Sequence, residues 1–198
     1  MTLKYAILFA HLIAMAVAVG KILEFDTKFL FQARAPMTSE GIVSLKWTQA
    51  VVSASLAVLW ATGAMLVVLG SMESPDYLNN QKLWVKVGIV ACLTFNGWVM
   101  HRWAFPMLQG DTAFLDLPKA HMLGLTALAT ASSVSWLYAS FLGIARSWNH
   151  SVPYLVPAAV YAVLLLGGWA AASALLLWLR NTSKQPSGPR QNCRCLQG

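Results

Sequence analysis

The sequence predicts an all-α fold, a polytopic membrane helix bundle of five transmembrane helices, and three observations carry that prediction. Of its 198 residues 58% are hydrophobic and only 11% charged, whereas a soluble domain carries about 25% charged residues. The apolar residues gather into blocks of about 20, the length that crosses a hydrocarbon core of roughly 30 Å at about 1.5 Å per residue. The breaks between blocks hold Pro or Gly among polar residues, as loops do.

The first span covers about residues 3–23 within "MTLKYAILFAHLIAMAVAVGKIL". It has no charged leader of any size and no small-residue cleavage site before a soluble domain, so it reads as a retained span. Its helical pattern continues through "KILEFDTKFLF", where Glu24 and Lys28 are spaced to pair at i,i+4. "RAPMTSEG" separates it from the second span, about 47–70, and "GSMESPDYLNNQ" separates that from the third, about 82–105. "PMLQGDTAFLDLP" leads to the fourth, about 119–145, and "SWNHSVP" to the fifth, about 154–180. These five spans make one bundle over residues 1–181. From Thr182 onward "TSKQPSGPRQN" is poor in apolar residues, and 182–198 is expected to be a disordered cytoplasmic tail.

Five spans put the termini on opposite faces. One face then holds Lys4, Lys82, Lys86 and Arg146, and the other holds the remaining ten of the 14 Lys and Arg residues. The richer face is expected in the cytoplasm, with the N-terminus out and the C-terminus in. The net charge of +7 sits in loops and tail rather than on a folded soluble domain, which excludes nucleic acid as a partner. Cys92, in an apolar run, reads as a small core residue. Cys193 and Cys195 read as reduced thiols of the tail, with no further ligand nearby to complete a metal site.

Ionisable groups inside apolar spans are the informative residues, since a mid-membrane lysine costs about 2.5–3.5 kcal/mol on insertion scales. On the third helix Lys86, Val90, Thr94, Gly97 and His101 recur at helical spacing and cover an arc of roughly 80°. That stripe is expected to face the bundle. The first helix carries a matching stripe of Ile7, His11, Ala14, Met15 and Ala18, whose small residues let helices approach closely. On the fourth, His121 begins a stripe of Leu125, Leu128, Ser132, Ser135 and Ala139. An outer pair, His11 with Lys86, and an inner pair, His101 with His121, follow.

Haem fits such a bundle, because its porphyrin is apolar and its iron takes axial nitrogen ligands from facing helices. Simpler readings stand beside this one. His101, beside Arg102 and Trp103, and His121, near Lys119, also suit the membrane interface, and Lys86 can snorkel outward. His11 can be hydrogen-bonded across helices instead, while His150 reads as an exposed loop residue. No phosphate loop, zinc-protease motif or hydrolase elbow occurs. All seven Asp and Glu are expected in loops or helix extensions.

"LFAHLIAMAVAVG" in the first span and "LWVKVGIV" in the third resemble a bacterial family of membrane-bound protoporphyrinogen oxidases that bind haem b, with their copper-resistance-D-like relatives. The resemblance covers about the first 105 residues. It implies that His11 and Lys86 are the residues tied to haem and activity, and that His101 matches a histidine further down the third helix. The family usually has four spans rather than five. The tryptophan common after its first histidine is missing from "MAVAVG", and Arg102 follows His101 where the family has a second histidine.

The expectation is therefore an integral protein of the bacterial cytoplasmic (inner) membrane that binds haem b and has a redox role. It would oxidise a porphyrin or relay electrons to the quinone pool. His11 is the expected iron ligand, and Lys86 a ligand, propionate partner or proton donor, with His101 and His121 as further cofactor-binding candidates. Partners would be the lipid bilayer and a quinone or membrane redox protein, and a homo-oligomer is compatible with the sequence. The alternative is a non-catalytic membrane subunit or a transport or assembly factor without cofactor, whose polar residues only pin helices together.

Overall fold

The computed structural model describes residues 2–110, 112–145, 148 and 152–183. Five helices among them are long and apolar enough to cross a membrane. We label them α1 (Thr2–Gln32), α2 (Ser39–Glu73), α3 (Gln81–Leu108), α4 (Lys119–Ile144) and α5 (Leu155–Ser183). Their number and their apolar surfaces suit a lipid bilayer and a multi-pass membrane protein.

Local chemistry sets the helix ends. The Thr38 side chain accepts from the Gly41 amide at 3.1 Å and caps α2, with Glu40 in the first turn. α2 ends where Ser74, extended ahead of Pro75, leaves the helical region. Asn80 caps α3 by accepting from the Lys82 amide at 3.2 Å. Near its far end α3 widens into a π turn over Met100–Ala104, where the Phe105 amide reaches the Met100 carbonyl. Pro106 explains the widening: it has no N–H and its ring crowds the carbonyl four residues back. At the C-terminus of α4 the Lys82 ammonium donates to the Ala145 carbonyl at 2.5 Å, a cation on the negative end of a helix.

α1 and α2 form the most extensive helix pair, and α4 is the hub, packed against α1, α3 and α5. The α1 stripe lies as its sequence pattern indicates: Ala14, Ala18 and Ile22 are buried, and Ile7, His11 and Met15 are half-buried. Ala14, Met15, Ala18 and Ile22 meet Leu59 of α2, Leu93 of α3 and Trp136 of α4 in one cluster. α3 departs from its expected stripe by one residue. Its buried line is Lys82, Val85, Ile89, Leu93 and Asn96, the last four each one position before Lys86, Val90, Thr94 and Gly97. That is a rotation of about 100°. The polar stripe becomes the shoulder of the helix, with Thr94 and His101 exposed. The apolar line with Asn96 takes the deepest position, because apolar packing against α4 fills the contact. Cys92, read as a core residue, is exposed for the same reason: it lies just off the buried line, next to Leu93.

The segment between α3 and α4 does more than connect. Ala113, Phe114, Leu115 and Leu117 are all buried against Ala33, Met122, Leu125 and Leu176. The Leu115 amide donates to the Ala33 carbonyl at 3.2 Å, Phe114 meets Phe29 edge-on with centroids 5.0 Å apart, and Arg180 donates to the Leu117 carbonyl at 2.9 Å. This "AFLDL" segment plugs the bundle between α1, α4 and α5. α5 runs two residues into the expected tail, to Ser183. The rest of that tail with Cys193 and Cys195, and also Arg146 and His150, lie outside the described residues.

The expected Glu24–Lys28 pair forms at 2.5 Å, with Lys21 on the same carboxylate at 2.8 Å. These charges are exposed, and such pairs contribute little to stability. The plug contributes more. Phe114→Ala should destabilise the detergent-solubilised protein by about 3 kcal/mol, read as a lower thermal midpoint; an unchanged midpoint would show that the segment does not support the bundle.

Candidate functional site

Two polar clusters lie inside the bundle, one toward each end. In the cluster nearer the N-terminus, α1 places His11 against α2, where Gly63 leaves room: a Cβ there would stand 3.7 Å from the imidazole Cε1. His11 Nδ1 lies 2.8 Å from Thr62 Oγ1, which is itself 2.6 Å from the Val58 carbonyl. A carbonyl cannot donate, so the single Thr62 hydroxyl proton goes to Val58. Thr62 must then accept from His11, which puts the ring proton on Nδ1 and leaves a lone pair on Nε2. Lys86 of α3 lies close enough to act electrostatically on His11. Its ammonium stands over α4, 4.0 Å from where a side chain on Gly143 would begin, and it has no hydrogen-bond partner among the described residues. The neighbouring Lys82 is committed to the Ala145 carbonyl. The outer pair of the sequence reading is thus brought into one neighbourhood.

The inner pair is not. The π turn aims His101 at α2, where Gln49 contacts Nδ1 and Ser53 Oγ lies 3.5 Å from Nε2. Both ring nitrogens face α2 side chains. Trp103, two residues on and on the other side of α3, meets His121 edge-on with centroids 6.2 Å apart. No hydrogen bond or ring contact joins His101 to His121, because that turn carries the two neighbouring positions to different sides. Among the described residues no three His, Cys, Asp or Glu side chains gather as a metal-ion site.

The second cluster surrounds Asp26, and the sequence reading missed it. Asp26 lies in the expected extension of the first helix, but it is turned toward the bundle: its carboxylate accepts from Ser133, midway along α4. On the same side of α1, Phe29 and Ala33 pack against the plug segment, while the opposite face of that end is exposed. Asp26 lines two adjoining cavities. One lies among α1, α2, α3 and α4, where α2 and α3 barely approach each other and are bridged by side chains, Gln49 to His101 and Trp60 Nε1 to Thr94 Oγ1 at 3.0 Å. The other lies among α1, α3, α4 and α5, with Phe114 in its lining. The i,i+7 spacing of Asp26 and Ala33, both turned inward, was the available sequence signal.

Thr62→Val, which keeps shape and removes the hydroxyl, should leave the His11 N–H unpaired and destabilise the protein by about 1 kcal/mol, whereas Thr62→Ser should not. Thermal midpoints in detergent would show this, and equal midpoints for the two variants would mean that the histidine is held by other contacts.

No family model matches the chain, and no curated protein or solved structure matches it either.

Proposed function

We propose that the chain is an integral membrane protein that binds haem b and has a redox role, with His11 as axial ligand. One observation carries this reading: His11 Nδ1 stands 2.8 Å from Thr62 Oγ1, whose hydroxyl donates to the Val58 carbonyl at 2.6 Å, an arrangement that favours the ring proton on Nδ1 and a lone pair on Nε2. A metal-ligating histidine characteristically donates its other N–H to an orienting partner. Lys86 adds, near it, a cation with no hydrogen-bond partner among the described residues, suited to a propionate or to proton delivery. The donor set fits the group, since an axial site needs only one or two nitrogens rather than a cluster.

Bound haem would supply one-electron chemistry at its iron. The chain's own part is to orient His11 through Thr62, to place the Lys86 charge, and to keep both in an apolar helix bundle. The resemblance of "LFAHLIAMAVAVG" and "LWVKVGIV" to the haem-binding protoporphyrinogen oxidases points the same way, toward porphyrin oxidation or electron relay to a quinone. The excess of Lys and Arg on one face favours an N-out, C-in arrangement in a bacterial inner membrane.

A second reading, a non-catalytic membrane subunit or assembly factor, has its own observation. Lys82 caps α4, and His101 joins α3 to α2, so polar groups in this bundle do act as pins.

Protein purified from haem-supplemented cells should be coloured, with a visible spectrum that changes on dithionite reduction. His11→Ala should abolish haem retention, and Lys86→Met should shift the spectrum or lower activity while sparing insertion. Colourless wild-type protein would favour the second reading. For the topology, a reporter fused after residue 180 should behave as cytoplasmic and one within "SWNHSVP" as external; the reverse pattern would overturn the orientation.

A further inference from the structure

We propose that the cavity among α1, α3, α4 and α5 is a binding site for a membrane-borne quinol, the reduced and hydroxyl-bearing form of a lipid-soluble quinone. Its volume is about 290 Å³, against about 90 Å³ for the cavity beside it. A void of about 150 Å³ takes a benzene ring, so this one has room for a substituted ring and the start of a chain. Leu30 of α1 and Leu175 of α5 line it and are 42% and 43% exposed, and α1 and α5 barely approach each other. The cavity therefore opens sideways, where a molecule dissolved in the bilayer can enter. It shares no residue with His11, Thr62 and Lys86, and neither proposal depends on the other.

The lining selects what would stay. Most of it is apolar, and four phenyl rings stand in the walls, Phe25, Phe29, Phe105 and Phe114. Phe25 and Phe29 stack with centroids 6.0 Å apart, and Phe114 meets Phe29 edge-on. Such faces and edges suit a flat aromatic ring better than a saturated chain. The polar groups are few. Thr126 donates to the Met122 carbonyl at 2.7 Å. The Ser133 proton goes to Asp26, the nearer of its two acceptors, the other being the Ala129 carbonyl at 3.2 Å. The Asp26 carboxylate accepts only that one hydrogen bond, and no charged side chain acts on it. A carboxylate has lone pairs for further donors and none to give. It would hold a hydroxyl and turn away a carbonyl oxygen, which distinguishes a quinol from its quinone. Thr130, one turn before Ser133 on the same face of α4, has a hydroxyl with no partner among the described residues. Side chains three apart on a helix stand about 5–6 Å from each other at Cβ, so the second hydroxyl of the same ring has a partner within reach.

The test is equilibrium binding of radiolabelled decylubiquinol, kept reduced under argon, to the full-length protein in phosphatidylcholine nanodiscs, with empty nanodiscs as the blank. Wild type should retain it saturably, and about tenfold more tightly than decylubiquinone, which lacks the donor. The dimethyl ether of the quinol, with the same ring and no hydroxyl, should compete as weakly as the quinone. Asp26→Asn keeps an acceptor for Ser133 but loses the charge, and it should weaken quinol binding about tenfold and narrow the preference over quinone. Ala172→Phe leaves Asp26 in place and fills the cavity from α5, so it should weaken binding of both forms. Absence of saturable binding by the wild type would overturn the proposal, as would unchanged quinol binding by either variant at a wild-type thermal midpoint. Quinone or ether bound as tightly as the quinol would overturn it too, by reassigning the cavity to any apolar molecule that fits. Because the readout is quinol retention, colourless protein that binds the quinol would leave this site standing, and coloured protein that does not would remove it alone.

Discussion

The close approach of α1 to its neighbours is the constraint from which the other arrangements follow. Ala18 is fully buried and Ala14 nearly so, and their small side chains let α2 and α4 close on α1 from two sides. In lipid there is little hydrophobic drive between helices, so such packing and internal hydrogen bonds hold the bundle. Both polar clusters depend on this. His11 reaches Thr62 because α1 and α2 lie close together, and Asp26 reaches Ser133 because α1 and α4 do. Where no small stripe brings backbones together, between α2 and α3, a cleft remains.

The fold class was legible in the sequence because apolar block length and loop composition are single-chain properties. The α1 stripe was legible too, since the small residues and the histidine fall on one helical face. The α3 face was not. Lys86, Thr94 and His101 drew attention by polarity, but the contact with α4 is set by Val85, Ile89 and Leu93, one position earlier. Polarity marks which residues need partners, whereas apolar volume decides which line is deepest.

The candidate sites divide in the same way. His11 and Lys86 were visible as ionisable groups within spans. Thr62 was not, because one threonine in an apolar helix has no pattern until the partner helix is placed. The inward direction of Asp26 and its Ser133 partner went unread for a related reason. Counting residues across a bilayer puts position 26 beyond the first span, but "AFLDL" packs against Phe29 and Ala33 on that face of α1 and continues the bundle there. His101 was read with His121 from their shared depth, and depth does not fix direction around a helix interrupted by a π turn.

The link between Asp26 and Ser133 also bears on how the protein is made. The two residues are 107 positions apart. At about 5–20 residues per second, the ribosome needs roughly 5 to 20 s to deliver the second after the first. For that interval α1 is in place with α2 as its only large partner, and its carboxylate has no hydroxyl to meet. Assembly of the first two helices is thus separated in time from closure of the bundle by α4, and the stretch of α1 around Asp26 must wait at a water-accessible level, or on another partner, until the fourth helix arrives.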